Sequence, residues 1–118
     1  MNAADMIALS VEPPVELQQV RYFLAICDER NFTRAAQRCG VRQPSLTTAI
    51  RRLERAIGGE VFVRSSPVRL TALGTALQPL FAQIHNVVAS VTHIAAAHRR
   101  SGDLHPPLAW PAEHEAHQ

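Results

Sequence analysis

The chain has 118 residues, 47% of them hydrophobic, and a formal net charge of +2. That is room for one compact domain with a real core and some extension at each end. No basic n-region opens the chain and no run of 18 apolar residues occurs, which argues against a signal peptide and a membrane span.

The charge is unevenly placed. All 12 basic residues lie between Arg21 and Arg100, and all are Arg. Five acids share the stretch from Glu16 to Arg100, so the middle carries +7 between acidic ends. A basic middle points to a polyanion partner. Arg supplies a planar fork for phosphates and guanine edges, although a GC-rich genome would also favour Arg over Lys. Cys27 and Cys39 form no metal or redox motif and fall at apolar helical positions. They read as reduced core thiols, which suits a cytoplasmic protein.

Residues 1–14 are weakly patterned, end in Pro13-Pro14, and read as a disordered leader. A first helix is expected from Glu16 to Glu29, with Leu17, Val20, Leu24 and Cys27 at helical spacing and Phe23 widening the stripe. Phe32 followed by Thr33 reads as a hydrophobic residue before an N-cap, opening a second helix that ends at Cys39. Ala35 and Ala36 keep that helix slim where two helices must cross closely. Gly40 supplies the turn, since Gly adopts positive φ without strain. Val41 plugs the turn.

A third helix is expected to start near Gln43-Pro44, because Pro in a first turn loses no hydrogen bond. Leu46, Ile50, Leu53 and Ile57 form its inner stripe, and Gly58 ends it. Its outer side carries Gln43, Ser45, Thr47, Thr48, Arg51, Arg52 and Arg55. This is a helix-turn-helix, a common way to present a helix to the major groove of DNA. Two short β runs, 61–63 and 68–70, follow with Arg64-Ser65-Ser66-Pro67 between them, a hairpin that would form the wing of a winged helix.

Thr71 then reads as the N-cap of a long helix reaching about His98. Leu73, Leu77, Leu80, Ile84, Val87, Val91 and Ile94 step alternately four and three residues, the heptad seam of a two-helix coiled coil. At ~1.5 Å per residue the helix would be about 40 Å long. Pro79 should kink or loosen its first turns. A lone helix of this kind would expose a large apolar strip, so pairing with another chain is expected. Residues 101–118 hold three Pro and three His without periodicity and read as a disordered tail.

These residues resemble the N-terminal DNA-binding domain of LysR-type transcriptional regulators. The matching positions are Leu17 to Phe23, Phe32 to Ala36, Val41, Gln43 to Leu46, Ile50 to Glu54, Gly58, Val61-Phe62, Arg64, Leu70-Thr71 and Gly74. The match runs from about Val15 to Arg100. The chain has no room for the family's effector domain, so the resemblance implies a winged helix-turn-helix (residues 15–70) and a dimerising linker helix (71–100) without the sensor. Arg42 stands where Ser or Thr is usual, Thr48 and Ala49 where Arg or Gln is frequent, and the wing is one residue short, without a basic tip.

The expected DNA contacts are Thr33, Arg34, Arg42, Gln43, Pro44, Ser45, Thr47, Thr48, Arg51, Arg52, Arg64 and Ser65. Gln43 can bond adenine, and Pro44 and the Thr methyls can touch a thymine methyl. Arg51 suits a phosphate, whereas Arg52 could instead pair with a nearby Glu. The start of the second helix can aim amides at a phosphate, and the resemblance implies a minor-groove or backbone contact for Arg64. The expected partners are double-stranded DNA and a second copy of the chain through the long helix. A full-length relative is the alternative, which would make the chain an antagonist. No metal site is expected of His105, His114 and His117, nor a cofactor. No catalytic constellation is present, so the reading is not that of an enzyme.

Overall fold

The structure, a computed structural model, describes residues 15–108; the leader 1–14 and the end of the tail, 109–118, lie outside the described residues. Helices α1 (Leu17–Glu29), α2 (Phe32–Cys39) and α3 (Gln43–Ile57) precede strands β1 (Phe62–Val63) and β2 (Arg69–Leu70), and helix α4 (Ala72–Ser101) follows. The two strands pair antiparallel, Phe62 with Leu70 and Val63 with Arg69. The chain divides into two units at Val88, so the C-terminal part of α4 belongs to the second. This is a mostly α winged helix-turn-helix followed by a long helix.

Each helix stops for a local reason. Gly40 (φ 70°) and Gly58 (φ 81°) take the left-handed conformation at the ends of α2 and α3. Each gives its N–H back to a carbonyl of the last turn. Arg30 takes the same conformation after α1 without being glycine (φ 53°). Its carbonyl accepts the Val68 N–H at 3.0 Å, which ties the return of the hairpin to the corner between α1 and α2.

The cap of α2 differs from the expectation. Asn31 is the N-cap, and its Oδ1 accepts the Arg34 N–H at 2.8 Å. Phe32 is already helical and Thr33 is not a cap. Asn ranks above Thr as an N-cap, and it stands three residues before the amide that needs a partner. At α4 the cap is as expected: the Thr71 hydroxyl accepts the Gly74 N–H at 3.0 Å and donates to the Glu60 carbonyl.

The core lies where α1, α2, α3, the hairpin and the start of α4 meet. Phe23, Ile26, Leu46, Ile50, Leu53 and Val61 are fully buried. The Phe23 ring stacks tilted on Phe62 at 5.1 Å and meets Phe81 of α4 edge-on at 4.8 Å. Ala35 and Ala36 are buried, letting α2 lie close to α1. The buried face of α1 is broader than the expected stripe: it includes Gln19, Tyr22, Ala25 and Ile26, whereas Leu17 is 60% exposed. That follows from α1 being covered on several sides at once, by α2, α3 and Phe81.

The strands are shorter than the runs that announced them. Val61 gives its N–H to the Glu54 side chain and Val68 gives its N–H to Arg30, so their donors leave the hairpin ladder. Helix α4 continues through Pro79 to Ser101, past the expected end. Gly74 faces the hairpin so closely that a Cβ would strike the Val61 carbonyl oxygen and the Leu70 side chain. Gly74→Ala should therefore cost about 1–3 kcal/mol of stability by overpacking, read as a lowered midpoint in urea with an unchanged slope.

Candidate nucleic-acid interface

Helix α3 buries Leu46, Ile50, Leu53 and Glu54 and leaves two polar flanks outside. One flank faces a groove walled by the start of α2 and the hairpin. Thr33, Gln43, Thr47, Arg51, Arg64 and Ser65 all line it, together with Arg30, Asn31, Phe32, Ser66 and Val68. Six of the twelve expected contacts thus converge although they come from three separate elements. Pro44, Ser45, Thr48 and Arg52 lie on the other flank, in a groove shared with Glu16, Gln18 and Tyr22 of the α1 end. Arg34 and Arg42 line neither groove and are exposed.

Local contacts set several of these side chains. The Gln43 amide donates to the Thr47 hydroxyl at 2.7 Å, one turn along α3. This fixes both on the outer face while leaving the Gln43 carbonyl and the Thr47 hydroxyl hydrogen for another partner. Ser65 donates its hydroxyl to the Pro67 carbonyl at 2.7 Å across the hairpin tip, where the Ser66–Pro67 peptide is cis. Arg42 occupies the N-cap of α3 without a side-chain bond to the helix.

The arginines differ in how they are held. Arg38 is spent on Asp28 and Glu29. Arg21 donates to the Cys39 carbonyl at the end of α2, at 3.0 Å. Arg64 pairs with Glu54 at 2.9 Å, and its guanidinium lies over the Phe32 ring, 4.6 Å from the centre. Arg34, Arg42, Arg51, Arg52 and Arg55 make no ion pair among the described residues and are exposed. The possible pairing of Arg52 with a Glu is therefore not made. Cys27 is half-buried and Cys39 buried, both as free thiols. Burial, then the Asp28 charge, pushes the Cys27 thiol up to about 11, so it stays protonated and poorly nucleophilic at neutral pH.

Two residues that shape the groove carried no expected role. Glu54 sits four residues after Ile50, on the inner stripe, and a carboxylate at an apolar position was the signal. Arg30 has none beyond its charge, because only its left-handed backbone turns it toward the hairpin.

The expected seam on α4 is divided. Leu77 packs against the core, and Leu73 lies beside Gly59, where an added Cβ would touch it. Leu77 is engaged within the chain, as is Phe81, whereas Leu73 remains 36% exposed. From the next heptad on, Leu80, Ile84, Val87, Val91 and Ile94 are all exposed, Val87 to 63% and Val91 to 64%. By length and composition alone α4 is also long and apolar enough to cross a membrane. The expectation from apolar runs missed this, because Gln83, His85, Asn86 and His93 interrupt a helix that is apolar on average.

The profile of the bacterial regulatory helix-turn-helix protein, lysR family, matches residues 17–75, half of the chain. The chain belongs to the LysR family. A probable cat1 operon transcriptional activator of Acinetobacter lwoffii is 42% identical over 89 residues, covering 75% of this chain and 28% of that one. The regulator TfdT of Cupriavidus pinatubonensis is 39% identical over 93 residues, covering 76% of this chain and 41% of that one. The chain thus spans less than half the length of these curated relatives. Among solved structures, the BenM DNA-binding domain in complex with catB site 1 DNA aligns with a TM-score of 0.68 and 30% identity, covering 79% of this chain and all of that one. The CbnR DNA-binding domain in complex with DNA aligns with a TM-score of 0.64 and 30% identity, covering 70% of this chain and 97% of that one. Residues 17–75 are accordingly the winged helix-turn-helix DNA-binding domain of a LysR-family regulator.

Proposed function

We propose that the protein is a sequence-specific transcriptional regulator that binds an inverted-repeat site as a homodimer. The observation that carries this is the groove beside α3, where Arg51, exposed and without an ion pair among the described residues, and the polar groups of Thr33, Gln43, Thr47 and Ser65 converge with Arg64. Helix α3 enters the major groove, Gln43, Pro44, Thr47 and Thr48 meet base edges, and the hairpin reaches the flanking backbone or minor groove. Ser45, Arg34, Arg42, Arg51 and Arg52 take phosphates. The related domains solved with DNA support this reading.

The exposed row from Leu80 to Ile94 pairs two copies. A two-fold dimer reads two half-sites on one face of the duplex. A membrane role for α4 is disfavoured because the same helix packs Phe81 into the DNA-binding core. The protein then works on DNA in the cytoplasm, needs no cofactor, and is not an enzyme.

Arg51→Ala is expected to weaken binding to every duplex alike, by roughly tenfold, and to reduce the salt slope by about one. Thr47→Ala or Pro44→Ala should instead change which base is preferred at one position of each half-site, by about 1–3 kcal/mol. Titrations of a fluorescent duplex over a series of salt concentrations read both. Variants that melt normally and bind like the parent would show that α3 does not meet DNA in this way.

A further inference from the structure

We propose that Glu54 is a positioning residue for DNA recognition: its carboxylate sets Arg64 of the hairpin against α3, so that Arg64 acts as a preset hydrogen-bonding fork and not as a free cation. This rests on the DNA-binding reading above. Glu54 is 8% exposed in the last turn of α3. Its Oε2 accepts the Val61 N–H at 2.8 Å, at the entrance to β1, and its Oε1 accepts Arg64 Nη2 at 2.9 Å. A buried carboxylate is retained only where such partners compensate its lost hydration. One side chain therefore links the helix, the first strand and the hairpin arginine.

The guanidinium is held twice. Glu54 takes one donor at its edge, and Phe32 covers its face at 4.6 Å. Phe32 in turn meets Phe62 edge-on at 5.8 Å, so this platform is continuous with the core. The Arg64 side chain remains 35% exposed in the groove beside Thr47 and Arg51. Of the five donors that guanidinium offers, the Glu54 bond uses one. The Glu54–Arg64 pair is neutral as a unit, so Arg64 releases fewer counterions on a phosphate than Arg51 does. Its contribution is geometric: a donor fork at a fixed distance from α3 favours only duplexes whose groove brings an acceptor there.

Glu54→Gln tests this. A Gln oxygen can still accept the Val61 N–H, while the charge that holds Arg64 is gone. The probes are the duplex most enriched by the parent protein from a random pool and a shuffled duplex of equal length and composition. Preference for the enriched duplex should fall about tenfold. Affinity for the shuffled duplex should rise, with a salt slope steeper by about one phosphate. Arg64→Ala should lose the same preference, and adding Glu54→Gln to it should change the preference no further.

Unchanged preference in Glu54→Gln overturns the proposal, as does an equal loss in the Arg64→Ala background. If Glu54→Gln fails to melt cooperatively, Arg64→Met decides, since it keeps the apolar cover on Phe32; retained preference in that variant also overturns it. A parent protein that enriches no duplex overturns the underlying reading, and this inference with it. A selective parent matched by an equally selective Glu54→Gln defeats this inference alone.

Discussion

Replacing Val87 and Val91 with glutamate should produce a monomer that still folds and binds its site about 100-fold more weakly or worse. Both residues are largely exposed in the single chain, so the core loses no contact. Across a paired seam the substitutions face each other as like charges removed from water, an arrangement that repels and cannot be compensated. Two linked binding domains gain on the order of 10²–10⁴ in affinity because the second half-site is met at high effective concentration. Losing the link should forfeit most of that gain. Sedimentation equilibrium reads the mass, and titration of a two-half-site duplex reads the affinity. If the variant stayed dimeric, α4 would not be the pairing element.

The second large effect is on the core. Phe23 is wholly buried and touches both Phe62 of the hairpin and Phe81 of α4. Phe23→Ala removes the ring that joins these two elements to α1, at a cost of about 3–5 kcal/mol. Domains of this size have only about 5–15 kcal/mol in total. The melting midpoint should fall by more than roughly 12 °C, and DNA binding should fail with the fold. Leu17→Ala is the control, because Leu17 is 60% exposed; it should shift stability by no more than about 0.5 kcal/mol. Melts must be compared at one protein concentration, since the proposed pairing would make the midpoint concentration-dependent. Equal melting of Phe23→Ala and Leu17→Ala would contradict the core described here.

Much of this architecture is legible in the residues themselves. Helix α3 has the expected limits because Pro44 suits only a first turn and Gly58 takes a backbone conformation that ends a helix. Thr71 caps α4 as its hydroxyl predicts. Misreadings occur where tertiary contacts compete with local pattern. Asn31 wins the cap from Thr33 because the side chain one helical turn before Arg34 reaches its amide. Periodicity gave α1 one stripe, yet a helix covered by three neighbours buries a wider face.

The candidate site divides in the same way. The polar flank of α3 is readable from helical spacing alone, but its sorting into two grooves depends on where the hairpin and α1 lie. Leu77 satisfies the heptad pattern and is nonetheless engaged inside the chain, because Phe81 anchors the first turns of α4. Glu54 was the least visible feature. Its neighbours in sequence mark a buried stripe, and its partners, Val61 and Arg64, come together only in the fold.

Selection of duplexes from a random pool by the purified protein, at near-physiological salt, tests the central claim most directly. An interrupted palindrome whose two arms repeat one half-site on the same face of the helix should be enriched. Binding that is salt-labile and enriches no sequence would contradict it, and would direct attention to a related chain as the partner of α4.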